Sequence, residues 1–293
     1  MQSMSFRPIQ KPIPVVIDTD FGGDPDDAIA LVYALNCPEL DIRAIVTSDE
    51  YMKNHRALLL NQCLRSVARK IPVFSGRDRG NVNLFLLDNL IQDDSDEVPD
   101  IFGNRRIETI LIELAKCKGH YVSIGSLSNL RYLYETFPNL WRSIRTTIMG
   151  GAINYHRAGT IEHNVGLDVE SARLIFENQE NMRWILSDHT FVPELSVSTA
   201  HRLYSLFADK KGFFYSTVHA NMDRFFHAFY PDSRMHDPLT VSSLFLPTVK
   251  FTAREIAFTP RGEFLPAADG RSILVSSSAD YHLFWSDIYA KLN

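Results

Sequence analysis

The sequence predicts a single α/β domain, a mostly parallel central sheet flanked by helices. Three observations predict it. Short apolar runs alternate with longer stretches of helical period, as when strands are buried on both faces. The chain has 293 residues, 45% hydrophobic and 22% charged, which suits one large globular domain. No repeat, low-complexity run or linker divides it, so one domain is expected over 1–293, with 1–12 a flexible N-terminal segment.

The elements follow in order. "PVVID" (14–18) reads as a buried strand, and "PDDAIALVYALN" (25–36) as a helix with Ala28, Leu31, Val32 and Leu35 on one face. "DIRAIVTS" (41–48) is a strand and "HRALLLNQCLRSVAR" (55–69) a helix. The stretch 77–103 has no clear period and is expected to be a long surface excursion near the site. "IETILIELAKC" (107–117) is helical, "YVSIGS" (121–126) a strand, and "IRTTIMGG" (144–151) another strand. "VESARLIFEN" (169–178) is a helix and "RWILSD" (183–188) a strand.

Composition removes several function classes. The net charge is −5 and Lys and Arg are scattered, which argues against a nucleic-acid polymer as partner. Cys37, Cys63 and Cys117 lie far apart with no CxxC spacing, which argues against a disulfide framework or a zinc site. No window has the apolar length of a membrane span, and the N-terminus lacks a signal-peptide core. A cytoplasmic protein with a small-molecule partner is expected.

One stretch stands apart. "DTDFGGDPDDAIAL" (18–31) gathers Asp18, Asp20, Asp24, Asp26 and Asp27 where the first strand ends. Ligands of open α/β sheets bind beyond the carboxyl ends of strands. Carboxylates that close repel one another and resist desolvation. Helix capping accounts for Asp26 and Asp27, but not for five aspartates. A hard divalent cation, Ca²⁺ or Mg²⁺, accounts for the loop better, since it lacks His and Cys. An EF-hand loop fails at Gly22 and Ile29. A D-x-D phosphatase with Asp18 as nucleophile fits locally, but leaves the Asp-Asp-Ala helix start without a role.

The longer pattern resembles the inosine–uridine nucleoside hydrolase family. D-T-D-x-G followed by D-D-A-x-A-L is similar to its N-terminal signature. "IGSLSNL" (124–130), "IMGGA" (148–152), "EHN" (162–164) and "MHDPL" (235–239) follow in matching order. The resemblance covers about residues 13 to 245 and implies a Rossmann-like nucleoside hydrolase fold. It also implies an enzyme that uses Ca²⁺ to hydrolyse the N-glycosidic bond of a nucleoside or related N-riboside, as a homodimer or homotetramer. A non-catalytic, calcium-dependent nucleoside-binding protein of the same fold is the alternative.

The resemblance assigns roles to matching positions. Asp20 would ligate calcium and take a proton from the attacking water. Asp27, the Ile124 carbonyl and Asp237 would complete the metal sphere. Asp26, Glu162 and Asn164 would hold the ribose hydroxyls beside Met149, and His236 would face the leaving base. Taken singly, Asp237-Pro238 reads as a helix cap, Met149 as core, and Asn164 as part of a turn. The chain departs from the family's commonest form: two more residues precede the Asp-Asp pair, Asp24 among them. "SDEY" (48–51) stands where Gly-Asn is frequent, which makes Asp49 and Glu50 candidate sugar contacts, and His163 stands where an apolar or aromatic residue is common. "FFHAFYPDSR" (225–234) reads equally as a base-covering flap, with Phe229 and Tyr230 as candidates, or as a helix with its rings in the core.

Overall fold

We describe a computed structural model of the chain over residues 11–48, 54–78, 85–92, 95–157, 159–178 and 180–293. The strands are β1 (Ile13–Thr19), β2 (Leu40–Thr47), β3 (Val73–Ser75), β4 (His120–Ser123), β5 (Arg145–Met149), β6 (Met182–Ile185), β7 (Ser196–Ser198), β8 (Asp232–Arg234), β9 (Val249–Phe258), β10 (Phe264–Pro266) and β11 (Arg271–Ala279). The helices are α1 (Pro25–Asn36), α2 (His55–Ser66), α3 (Arg105–Lys116), α4 (Ser128–Thr136), α5 (His163–Leu167), α6 (Val169–Asn178), α7 (Arg202–Asp209), α8 (Phe213–Ala228), α9 (His236–Ser242) and α10 (Tyr281–Leu292).

Nine strands form one sheet in the order β10-β9-β11-β6-β5-β4-β1-β2-β3. The run from β6 to β3 is parallel, as expected from the sequence, and β11 joins β6 in parallel. β9 and β10 add an antiparallel edge, and β7 pairs with β8 in a separate two-stranded sheet.

Alternation along the strands explains the double cover. Val15, Ile17, Ile45 and Val122 enter one core, with α1, α2 and α10. Val16, Val46, Tyr121 and Trp184 enter the other, against α3, α4 and α6. A strand buried on both faces has no polar positions to spare until its end. Full burial of each such Val or Ile contributes about 1.5–3 kcal/mol.

The parallel strands stop in step. Asp18 pairs with Ser123, Ser123 with Ile148, and Ile148 with Trp184. The chain turns beyond β1 at Asp20, beyond β4 at Ile124, and at the end of β5 at Met149. Three polar segments thus meet at one sheet end. Pro25 opens α1, where its missing N–H costs nothing.

Several expectations need correction. The helix after Met235 begins at His236, with Asp237 inside its first turn, so Asp237 does not cap it. None of the loop aspartates caps α1 by a side-chain hydrogen bond. The expected flexible segment 1–12 falls mostly outside the described residues. The 77–103 excursion is irregular where it is described. It returns to the site, since Leu86 N–H donates to the Gly22 carbonyl at 2.9 Å.

Candidate active site

A cavity of about 430 Å³ opens over the carboxyl ends of the strands. Asp26 and Asp27 project into it from the first turn of α1, and Asp237 from the first turn of α9. One carboxylate oxygen from each lies within 4.8 Å of the others. The three are 3–4% exposed. Asp20 lines the same cavity.

These carboxyls are held in an unfavourable state. Burial, and then repulsion from neighbouring carboxylates, pushes Asp26, Asp27 and Asp237 well above the usual carboxylate range: Asp24 and then Asp20 act on Asp26, Asp20 and Asp26 on Asp27, and Asp26, Asp27, Asp20 and Asp24 on Asp237. The donors are all hard oxygens on short side chains, and a divalent cation of the Ca²⁺ or Mg²⁺ type fits them. Fixed hydrogen bonds support the set. Thr19 Oγ1 donates to Asp27, and Asp237 N–H donates to Asp26 at 3.3 Å. Gly125 packs close beside them: a Cβ there would sit 3.0 Å from Asp20 N and Oδ1, so Asp20 would have to give by a few tenths of an ångström.

Arg56 was not identified from the sequence as a site residue. It is 1% exposed, donates to the Asp20 and Phe21 carbonyls at 2.5 and 2.8 Å, and its charge favours an ionised Asp27. The signal was available: with Leu59, Leu60 and Cys63 it occupies the apolar stripe of α2, where an arginine needs partners.

A second group of polar residues comes from the turn after β5. Glu162 accepts N–H groups from Gly151 at 2.9 Å, Val165 at 3.1 Å and Asn164 at 3.2 Å. Burial nevertheless raises its carboxyl, more than these donors lower it. Asn164 donates to the carbonyls of Ile124 at 3.1 Å and Met149 at 3.2 Å. Glu162, Asn164, Ile124 and Met149 all line the cavity.

His236 is placed from α9. Its Nδ1 lies 2.6 Å from Thr190 Oγ1. Desolvation, then the charges of Arg234, His156 and His163, lowers its pKa to about 3, so the imidazole is neutral at pH 7. It belongs to a wall of rings and cations of which sequence reasoning named His236 and Tyr230 but not His156, Arg157 or Phe191. Phe191 stacks on His156 at 3.5 Å and 3°, and on His236 at 6.1 Å and 25°. Arg157 donates to Tyr230 Oη at 2.9 Å. Nothing in local sequence signals this wall, since its members come from three distant segments.

The remaining candidates separate. Asp18 is fully buried and does not line the cavity. Asn129 and Tyr121 each donate to it at 2.8 Å. Burial outweighs these bonds and raises its pKa to about 7. With both oxygens held, it is not a nucleophile open to substrate, which removes the phosphatase reading. Asp24, half-buried, accepts from Ser233 Oγ, and desolvation raises its pKa to about 6 despite that bond. Phe225 is buried on α8, whereas Phe229 and Tyr230 are exposed at 44% and 48%. All three line the cavity, so the 225–234 segment serves core and mouth together. Asp49 and Glu50 lie outside the described residues.

Comparison with known proteins agrees with this architecture. The model of the family "Inosine-uridine preferring nucleoside hydrolase" matches residues 15–279. The pyrimidine-specific ribonucleoside hydrolase RihA of Escherichia coli (strain SMS-3-5 / SECEC) is 28% identical, over 83% of this chain and 82% of the relative. A plant nucleoside hydrolase, the PpNRh1 enzyme, superimposes with a TM-score of 0.77 at 20% identity, covering 96% of this chain and 99% of that one. The purine-preferring ribonucleoside hydrolase of Gardnerella vaginalis gives 0.75 at 18%, covering 95% and 98%. Among the described residues no helix is long and apolar enough to cross a membrane. The chain belongs to the inosine-uridine preferring nucleoside hydrolase family and is an N-glycosidase-type hydrolase.

Proposed function

We propose that the chain hydrolyses the N-glycosidic bond of a ribonucleoside or related N-riboside with the help of Ca²⁺. The observation that carries this reading is the buried group Asp26, Asp27 and Asp237, which shares one cavity with Glu162 and Asn164. Asp20, Asp27, Asp237 and the Ile124 carbonyl would hold the ion, and the position of Asp26 in the trio allows it to share that task. When bound, a divalent cation supplies a Lewis acid that makes a water easier to deprotonate.

The protein's own groups supply the rest. Asp20 accepts the proton from the attacking water. Asp26, Glu162 and Asn164 accept and donate at the short reach that ribose hydroxyls require. As the base departs, positive charge builds on the sugar ring, as in oxocarbenium-like glycoside hydrolysis. Carboxylates fixed in a desolvated site stabilise that charge without reorganising. His236, in its neutral form, offers an N–H to the leaving base. The family resemblance also supports a cytoplasmic homodimer or homotetramer.

The deciding experiment incubates the chain with calcium and a panel of purine and pyrimidine nucleosides, and assays free ribose. Time-dependent release is expected. Saturable binding with no ribose released would overturn hydrolysis in favour of the non-catalytic, calcium-dependent nucleoside-binding alternative.

A further inference from the structure

The acidic turn is held by its backbone as well as by its side chains. Phe21, Gly22 and Gly23 are buried and belong to neither strand nor helix, so their carbonyls need donors from elsewhere. Four carbonyls in succession find them. Arg56 Nη1, from α2, donates to the Asp20 carbonyl at 2.5 Å and the Phe21 carbonyl at 2.8 Å. Leu86 N–H, from the 77–103 excursion, donates to the Gly22 carbonyl at 2.9 Å. Asn221 Nδ2, from α8, donates to the Gly23 carbonyl at 2.8 Å. Three separate segments therefore grip the turn between Asp20 and Asp24.

Two of the donors are side chains that are costly to bury. Asn221 is fully buried, and its Oδ1 has no hydrogen-bond partner among the described residues. Arg56 is 1% exposed, with its guanidinium carbon 5.4 Å over the Phe85 ring. Phe85 in turn closes on Gly22, where a Cβ would meet the ring at 2.5 Å.

The grip opposes a repulsion. Asp20, Asp26 and Asp27 all act against Asp237, and a turn free to relax would carry Asp20 away from the others. Outer groups that orient metal ligands are worth about 10–100-fold in metal affinity or activity. We propose that Arg56 and Asn221 are positioning residues that hold the acidic turn in its metal-binding shape through its backbone carbonyls. The proposal rests on the calcium site described under the proposed function.

The test measures calcium binding by calorimetry, melting with chelator, and hydrogen exchange over residues 18–27. It compares wild type with Asn221→Leu, Arg56→Met and Arg56→Lys. Asn181→Ala is the control, because Asn181 Nδ2 makes the same kind of bond, to the Arg142 carbonyl at 2.6 Å, beside the amino ends of β5 and β6. Asn221→Leu should bind calcium about tenfold more weakly. Its metal-free melting point should stay near wild type, because the leucine removes the unsatisfied Oδ1 together with the bond. Arg56→Met should weaken calcium by about 10–100-fold. Loss of a positive charge beside the carboxylates would by itself tighten the ion, so weakening here reports position and not charge. Arg56→Lys should recover part of the loss, and Asn181→Ala should match wild type. At saturating calcium, kcat should fall in Asn221→Leu while KM changes little.

Tighter calcium binding in Arg56→Met, or unchanged binding in Asn221→Leu, would overturn the proposal. So would a lower metal-free melting point with calcium affinity and kcat intact, which is the mark of a merely structural role. If wild type binds no calcium, the calcium site fails instead, and exchange decides the grip separately. Amides of 18–27 that exchange tenfold faster in Asn221→Leu and Arg56→Lys, with other segments unchanged, support it, and equal exchange overturns it.

Discussion

The backbone N–H of Asp237 donates to the Asp26 carboxylate at 3.3 Å, across 211 residues of chain. The bond locks the first turn of α9 against the first turn of α1, so two helix starts deliver the acidic trio. Neither helix could move without separating Asp237 from Asp26 and Asp27.

The first prediction concerns this trio. Asp237→Asn removes one of three mutually repelling charges and one metal ligand. The metal-free variant should therefore melt higher than metal-free wild type. Wild type should gain about 2.7 kcal/mol when calcium is at 100 times its dissociation constant, and the variant should gain far less. Melts with excess calcium and with chelator check both signs. A variant stabilised by calcium as much as wild type would show that Asp237 is not a ligand.

The second concerns pH. Asp18 is raised from 3.8 to about 7 and Asp24 from 3.8 to about 6. Between these limits Asp18, Asp24 and the acidic trio hold more protons in the folded chain than in the unfolded one, whereas buried His120 and His236, lowered to about 4 and about 3, hold fewer. The five carboxyls outweigh the two imidazoles, so stability falls as pH rises. The metal-free protein should thus be more stable near pH 5 than near pH 7.5, with the loss falling between about pH 4 and 7. Calcium should shrink this slope, because it replaces protons at the acidic trio. Urea titrations at four pH values, with and without calcium, read it. A metal-free protein that gains stability from pH 5 to 7.5 would contradict the sign.

Asp20→Asn should fold and keep part of its ligand binding, and should lose about 10²–10⁴-fold in turnover. The amide preserves shape but accepts no proton from water. Near-normal turnover in this variant would move the base to Asp24 or Asp26.

His236→Ala tests the leaving group. A neutral imidazole, anchored at Nδ1 by Thr190, can hydrogen-bond the base but holds no imidazolium proton at pH 7. The variant should lose at least tenfold more on a nucleoside with a poor leaving group than on p-nitrophenyl riboside. Because its pKa lies near 3, no inflection from His236 should appear in the wild-type rate between pH 5 and 8. Equal slowing of both substrates would make His236 a sugar or fold residue.

α1 was legible residue for residue, because Pro25 and an apolar run mark it, whereas the strands expected over 121–126, 144–151 and 183–188 end earlier, at Ser123, Met149 and Ile185. The antiparallel edge was not legible. β9 buries only Val249 and Ile256 of its ten residues, so it carries no apolar run to read. The Asp-Asp pair and Asp237 could be singled out through their motifs, and they do converge. Arg56 was visible as a charge on an apolar stripe. The Phe191 wall and the partner of Asp24 depend on contacts between distant segments, which no local pattern encodes.

That last contact has a consequence for descent. Asp24 belongs to the two residues that lengthen the loop, and it meets the Ser233 hydroxyl, 209 positions away. A half-buried carboxylate that lost this donor would be left less solvated than before, so neither residue changes freely without the other. Lineages that carry the longer loop should keep a hydroxyl or another donor at position 233, and lineages that shortened it should be released from that constraint. The longer loop and the serine thus work as one structural unit whose halves lie 209 positions apart in the chain.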